Sequence, residues 1–388
     1  METVERAIQL IKENVKTNPI ISKNLVDCLG LSLAEDIFSP IDMPPFPQSA
    51  MDGYVVSGKE TQYTVIGEIK AGDDASNLAL KAGEAFRIFT GAMIPSNAKY
   101  VIIQEHVRVQ ENKILIPSGY DFKFNIRPLG EQLKEGELAA KKGTSLTPGL
   151  IGFLTTLGIM EVSVYKKPEI TLIATGNELT KVGKELAPGK IYESNTIMLQ
   201  MALQSYGFSA KIYCVEDNLD NTLETVSKAI KDSDVVFLSG GISVGKYDFV
   251  HEVLERLKVK EVFYKIKQKP GKPLYFGIKG NTIVFGLPGN PAAALTSFYI
   301  YGLSAIAQKI GRNTDFIKEE EKKLTKAIEK PAGRTFFLKG KTGGDLVEIL
   351  SGQSSAMLSA FSDTDCFIML NQDKTNWEAG DTVKVLKL

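Results

Sequence analysis

Between residues 168 and 312, short apolar runs alternate with amphipathic helical windows, and this rhythm restricts the chain to few architectures. The candidate strands are Ile170–Ala174, Ala210–Val215, Val235–Leu238, Val262–Lys265 and Thr282–Phe285; the windows between them include Asn195–Tyr206, Leu219–Asp232 and Asp248–Leu257. Strands joined through helices need crossover connections, which predicts a parallel or mostly parallel sheet with helices on both faces. Ligands of such sheets bind beyond the carboxyl ends of the strands, so the chemistry is expected in the loops that follow them.

The flanks read differently. Val4, Ala7, Ile8, Ile11 and Val15 recur at helical spacing in an opening helix, and a second helix is expected around Leu25–Ala34. Four prolines in the nine residues from Ser39 to Pro47 cannot continue a helix and mark a boundary. Strand-like runs follow at Tyr63–Ile69, Ala85–Phe89, Tyr100–Val109 and Lys113–Pro117, a small β-rich module. The stretch Glu131–Tyr165, with a helix near Gly149–Leu157, is expected to rejoin the N-terminal helices. The predicted division is 1–45 with 131–166, then 46–130, 167–314 and 315–388. The last part returns to short alternating strands.

Composition removes several functions. At 388 residues the chain exceeds one ordinary domain, and with 43% hydrophobic residues it can bury a core without staples. Zero formal net charge and no long Lys/Arg block argue against a broad nucleic-acid surface. Cys28, Cys214 and Cys366 lie far apart and the chain has only His106 and His251, so neither a disulfide framework nor a zinc site is supported. A bound metal should be a hard cation held by carboxylates. No secretory leader is evident and the most apolar stretch, Gly149–Tyr165, is too short to span a bilayer. A reducing cytoplasm is the expected location.

Four loops of the alternating region carry the functional signal. Ala174-Thr-Gly-Asn-Glu-Leu179 offers backbone N–H groups around Gly176 and the Glu178 carboxylate, although a plain turn explains it equally well. Ser239-Gly240-Gly241-Ile-Ser243-Val-Gly245, followed by Asp248, can form a nest of N–H groups for an anion; for Asp248 a helix cap is the alternative. In Lys269-Pro-Gly271-Lys272-Pro two cations at fixed offset suit a phosphate, or merely a solvated turn. In Pro288-Gly289-Asn290-Pro291, Asn290 suits an N-cap and Pro291 the first helical position, a complete explanation without a ligand. Ser49-Ala-Met-Asp52-Gly-Tyr and Phe89-Thr90-Gly add two modest signals in the β module. Jointly these loops and the carboxylates of Asp52, Glu178, Asp217 and Asp248 describe a site for a phosphorylated ligand, an oxyanion and a divalent cation.

SAMDGY, RIFTGA, the TG-x-EL loop, SGG-x-S-x-G with Asp248, KPGKP and GLPGNP, in that order, resemble the MoeA and gephyrin E-domain family, and the likeness extends through the terminal SGQSSAMLSAF segment. The resemblance implies an elongated multidomain α/β chain: a central three-layer molybdopterin-binding domain, a β-rich insert, a discontinuous N-terminal domain and a C-terminal β-barrel-like domain. It implies a homodimer in which Asp52 and Thr90 reach a site on the partner chain. The implied reaction inserts molybdenum from molybdate into adenylylated molybdopterin, with Mg²⁺ assisting release of AMP. Glu178, Asp217 and Asp248 would serve the cation, Lys269 and Lys272 the phosphate charge, and the Ser239–Gly245 loop phosphate or molybdate. An adenylyltransferase is the implied upstream partner.

Two departures from the family pattern stand out. Gln132 occupies a position where relatives often carry Asp, and Glu216-Asp217-Asn218 has one carboxylate fewer than the frequent Asp-Asp pair. Two alternatives remain at this point: an adenylyltransferase acting on molybdopterin, and a non-catalytic molybdopterin-binding scaffold.

Overall fold

The computed structural model describes residues 1–216, 218–241 and 249–388. Its centre is a six-stranded sheet whose strands we number in chain order: β1 (Ile170–Thr175), β2 (Ala210–Val215), β3 (Val235–Ser239), β4 (Lys260–Tyr264), β5 (Tyr275–Lys279) and β6 (Thr282–Leu287). They lie in the order β2-β1-β3-β6-β5-β4. Three successive pairings, β2–β1, β1–β3 and β3–β6, are parallel, while β5 is antiparallel to both neighbours. β5 is a strand the sequence pattern did not reveal, because Pro273 precedes it and Gly277 interrupts its apolar run. Its hairpin into β6 turns at Gly280, whose φ of +62° suits glycine.

Alternate residues of the sheet face two helical layers. Leu172, Phe237 and Phe285 pack with Leu199 and Leu203 of the helix Asn195–Ser205 and with Leu295 and Phe298. Ile173, Val236, Leu238 and Val284 pack with Val226 and Ile230 of the helix Leu219–Asp232 and with Val250 and Val253 of Phe249–Arg256. On the first face Phe263, Phe276, Phe285 and Phe237 form a cross-strand run with ring centres 4.8–5.4 Å apart. Burial of each such ring contributes about 1.5–3 kcal/mol, which makes this face a rigid base for the loops at its edge.

The opening helix Val4–Asn14 is capped by Thr3, and its Val4, Ala7 and Ile11 join the same core cluster as the sheet. It therefore packs on the α/β unit. Strand Ile20–Asn24 pairs antiparallel with Glu161–Tyr165, and Ile37–Phe38 pairs with Leu138–Ala140. Leu25, Cys28, Leu31 and Leu33 share one core with Leu146, Leu154, Leu157, Val162 and Val164, so two distant stretches of chain fold together. The helix expected at Leu25–Ala34 is a single 3-10 turn, Leu25–Asp27; Gly30 at φ +76° ends it, and Ser32 and Leu33 bridge to Ser145 and Val164 instead. The helix near Gly149–Leu157 is present as Pro148–Thr156, with Thr147 as its cap.

Residues 53–115 form a six-stranded β module, in which the run expected at Tyr100–Val109 divides into Tyr100–Ile103, a 3-10 turn and Arg108–Gln110. The turn begins where the Gln104 N–H leaves the ladder and donates to the Asp52 carbonyl. In the last part of the chain, Thr335–Gly343, Leu346–Ile349, Lys318–Leu324, Thr382–Lys387 and Cys366–Leu370 pair in that order, and the last strand pairs back to the first. This is a closed five-stranded barrel, the β-barrel-like unit expected. Among the described residues no helix is long and apolar enough to cross a membrane.

Candidate active site

The parallel register sets the site. Ala174 of β1 lies beside Ser239 of β3, and Ser239 beside Leu287 of β6, so the three strands end level. The loops after them, at residues 176–178, 240–241 and 288–290, are neighbours for that reason. Together with the helix start at residues 193–195 they enclose a cleft of about 580 Å³. Gly176, Glu178, Ser239, Gly240, Gly241, Gly271, Pro288, Gly289, Asn290 and Pro291 all line it. Asp217, Ser243, Gly245 and Asp248 lie outside the described residues.

Two glycines shape the rim, Gly240 against the backbone of another strand and Gly176 against a side chain of its own loop. At Gly240, φ is +93° and a Cβ would fall 2.4 Å from the Thr175 carbonyl oxygen. The loop after β3 thus rests directly on the end of β1. A Cβ at Gly176 would fall 2.7–2.8 Å from the Glu178 carboxylate oxygens, so the bare Cα lets Glu178 fold back over the strand end.

Residues that local pattern did not single out complete the floor. Asn195 donates from Nδ2 to Ser239 Oγ (2.7 Å) and to the Gly289 carbonyl (2.9 Å), tying together the loops after β3 and β6. Buried Glu193 accepts from the Thr196 N–H (2.9 Å) and Oγ1 (2.6 Å), fixing the helix start that carries Asn195. The only hint in the sequence was that Tyr-Glu-Ser-Asn opens a helical window. Among the described residues, Thr175 Oγ1 and Asn195 Oδ1 are buried without a hydrogen-bond partner, and both residues line the cleft. Orphaned buried polar atoms are costly, and a polar ligand would supply their partners.

Pro291 does stand in the first helical turn, as expected, but Asn290 caps nothing with its side chain. Its Nδ2 donates instead to Ser355 Oγ of the C-terminal barrel (3.1 Å), which brings Ser355 into the cleft wall. Lys269 and Lys272 face a second cavity of about 620 Å³ between the sheet and the barrel, lined also by Arg334, Phe336, Gln353 and Ser354. The Lys269 ammonium sits 5.1 Å from the Phe336 ring centre. Gly271 and Ser355 line both cavities, so the two are adjoining.

The whole chain is similar to known proteins. Residues 2–158 match the MoeA N-terminal region (domain I and II), 171–308 a probable molybdopterin binding domain, and 321–388 the MoeA C-terminal region (domain IV). A Haemophilus influenzae protein named molybdopterin molybdenumtransferase is 36% identical across 93% of this chain and 92% of its own length. The chain belongs to the MoeA family. A Staphylococcus epidermidis MoeA relative of the same name is 32% identical, covering 99% of this chain and 95% of its own. Two structures of MoeA protein from Pyrococcus horikoshii superpose with TM-scores of 0.81 at 32% identity and 0.86 at 27%; the first covers 99% of this chain and 98% of its own, the second 100% of each.

In this MoeA chain Asp52 and Thr90 meet each other but are absent from the residues lining the cleft. Thr90 donates to Asp52 Oδ1 from its N–H (2.8 Å) and its hydroxyl (2.7 Å). The first of these bonds, then the second, and more weakly the charge of Arg87 hold the Asp52 carboxyl below the usual aspartate range. Arg87 is itself stacked on Tyr54 and Phe89, with ring centres 4.9 and 5.3 Å away. Thr90→Val removes one of the two bonds, so Asp52 should titrate at higher pH in the variant. Carbon-detected NMR of the Asp52 carboxyl measures this; an unmoved titration would show that the hydroxyl bond is not made in solution.

Proposed function

We propose that this chain is a molybdopterin molybdenumtransferase that takes adenylylated molybdopterin and molybdate and releases AMP as molybdenum is transferred to the dithiolene. The observation that carries the reading is the floor of the first cleft. Glycine backbone, hydroxyls and two orphaned buried polar atoms make it a receptor for a polar, phosphorylated ligand rather than for an apolar one. The adjoining cavity, with Lys269, Lys272 and Arg334, suits phosphate or molybdate oxygens. An elongated substrate can then span both, with its pyrophosphate near the shared Gly271 and Ser355. The dithiolene supplies the molybdenum chemistry; the protein supplies position and charge.

Glu178 and Glu193 are the carboxylates among the described cleft-lining residues, and both oxygens of Glu193 are engaged by Thr196. Among the described residues no group of three or more metal-ligating side chains converges. A carboxylate beside a phosphate site fits Mg²⁺, which keeps several waters and binds through one or two carboxylates plus substrate phosphates. Glu178 would hold it, with Asp217 and Asp248 as further ligands. Bound there, it would neutralise charge on the pyrophosphate. Asp52 and Thr90, half-buried and exposed on a different module, would serve the cleft of a partner copy in a homodimer. The domain division at 45, 130, 166 and 314, a cytoplasmic location and an upstream adenylyltransferase complete the proposal.

The test is direct. Purified protein with adenylylated molybdopterin, Mg²⁺ and molybdate should release AMP only when molybdate is present, and Glu178→Gln should slow release at least about tenfold, since even a group that only supports a metal ligand contributes about that much. Unchanged substrate under conditions where a H. influenzae relative turns it over would favour the scaffold reading. Formation of adenylylated molybdopterin from ATP would favour adenylyl transfer.

A further inference from the structure

The C-terminal barrel buries two lysines, Lys330 at 5% and Lys339 at 4% exposure. The ion pairs described in this module use Lys322, Lys374, Lys384 and Lys387, not these two. Their ammonium groups are instead satisfied by loop carbonyls and aromatic faces. Lys330 Nζ donates to the carbonyls of Arg334 (3.0 Å), Pro331 (3.3 Å) and Gln372 (3.4 Å), and lies 5.3 and 5.6 Å from the ring centres of Phe336 and Trp377. Lys339 Nζ donates to the carbonyls of Met357 (3.0 Å) and Ser354 (3.3 Å), 5.4 Å from the Phe361 ring centre.

Four of these five carbonyls, all but that of Gln372, belong to the two loops that bring this module's polar groups to the second cavity. One loop carries Arg334; the other carries Gln353, Ser354 and Ser355, and through Ser355 it meets Asn290. Gln353 ties the second loop again: its Oε1 accepts from the Lys339 N–H (2.9 Å), and its Nε2 donates to the carbonyls of Lys339 (2.9 Å) and Leu350 (2.8 Å).

A buried cation is a poor way to fill space. Taking an ammonium out of water costs several kcal/mol, roughly, and an apolar side chain of equal length usually packs at least as well. Burial indeed pushes both lysines below the ordinary lysine range, with Asp373 partly opposing this at Lys330. The arrangement makes sense if the charge and the loop geometry act on the cavity wall. We propose that Lys330 and Lys339 are positioning residues for a tetrahedral oxyanion in the second cavity: they tether the loops that present Arg334, Ser354 and Ser355, and they place two interior positive charges behind the wall that bears Lys269 and Lys272. This rests on the reading that the second cavity takes molybdate or phosphate oxygens.

Calorimetric titration of the full-length protein with sodium molybdate, and separately with AMP, distinguishes free oxyanion from nucleotide phosphate. For whichever anion wild type binds, Lys330→Met and Lys339→Met should each weaken affinity at least tenfold, and KM for molybdate should rise more than kcat falls. Each substitution unpairs loop carbonyls but also removes a buried charge, so the melting temperature without anion should fall modestly, while the stabilisation on adding anion is lost altogether. Wild-type affinity in both variants would overturn the positioning role alone; so would an affinity loss that merely tracks a lower melting temperature. Binding of neither anion by wild type would overturn the oxyanion reading of the cavity as well. If a Met variant does not fold, Gln353→Met loosens the same loop and leaves both charges in place. It should still weaken anion binding, and unchanged affinity there would refute the tether.

Discussion

Gln268→Met should be among the most damaging single changes in this protein, although Gln268 is not among the residues that line the first cleft. The side chain is fully buried. Its Nε2 donates to the carbonyls of Pro270 (3.0 Å) and Gly271 (3.1 Å), and its Oε1 accepts from the buried Tyr301 hydroxyl. Methionine has nearly the same length but leaves that hydroxyl and the two carbonyls unpaired away from water. At roughly 1–3 kcal/mol for each of the three orphaned groups, the loss is at least about 3 kcal/mol. The effect extends to function, because the released turn is Lys269–Pro273, whose lysines face the second cavity and whose Gly271 lines both. Chemical denaturation should show the destabilisation, and anion titration the weakened cavity. A variant of wild-type stability would mean that the turn is held by its neighbours without Gln268.

Gly240→Ala should remove activity more selectively. A residue with a side chain resists φ of +93°, and the added Cβ would meet the Thr175 carbonyl at 2.4 Å, far inside contact distance. Backbone strain of this kind costs about 1–3 kcal/mol. The larger consequence is geometric: the loop after β3 must lift off β1, separating Gly240 and Gly241 from Gly176 and Glu178. Misplacement by an ångström can cost about 10²-fold in rate, so molybdate-dependent AMP release should fall about a hundredfold. The fold should survive, because the Phe237–Phe285 packing beneath is untouched. Far-UV and near-UV circular dichroism would confirm that; full turnover by a folded variant would mean the loop does not contact the reacting ligand.

How much of this was legible beforehand differs from element to element. The sheet was readable because β1, β3 and β6 each hold a run of four or five largely apolar residues, Ile170–Ala174, Val235–Leu238 and Thr282–Phe285; in β5 a glycine after two residues and a proline just before it leave no such run, and pairing with β6 makes it a strand. The expected helix at Leu25–Ala34 failed for the converse reason. Its apolar residues suit a helix, but Gly30 and the bridges to Ser145 and Val164 draw it into an extended path. Lys269 and Lys272 were legible as cations at a turn, yet their direction, into a cavity completed by the barrel, was not.

What the amino-acid sequence determined alone was the kind of loop: glycine-rich turns directly after apolar strands, with lysines and carboxylates among them. Those signals are local, since turn chemistry and strand periodicity are written within about ten residues. The tertiary structure decided which loops meet and what holds them. Asn195 reaches Gly289 across 94 residues and Asn290 reaches Ser355 across 65. Such bonds depend on where whole layers pack, and an asparagine or serine has no local pattern that announces a distant partner. Parallel register brings the three loops level, and burial then makes each cross-link between them strong enough to matter.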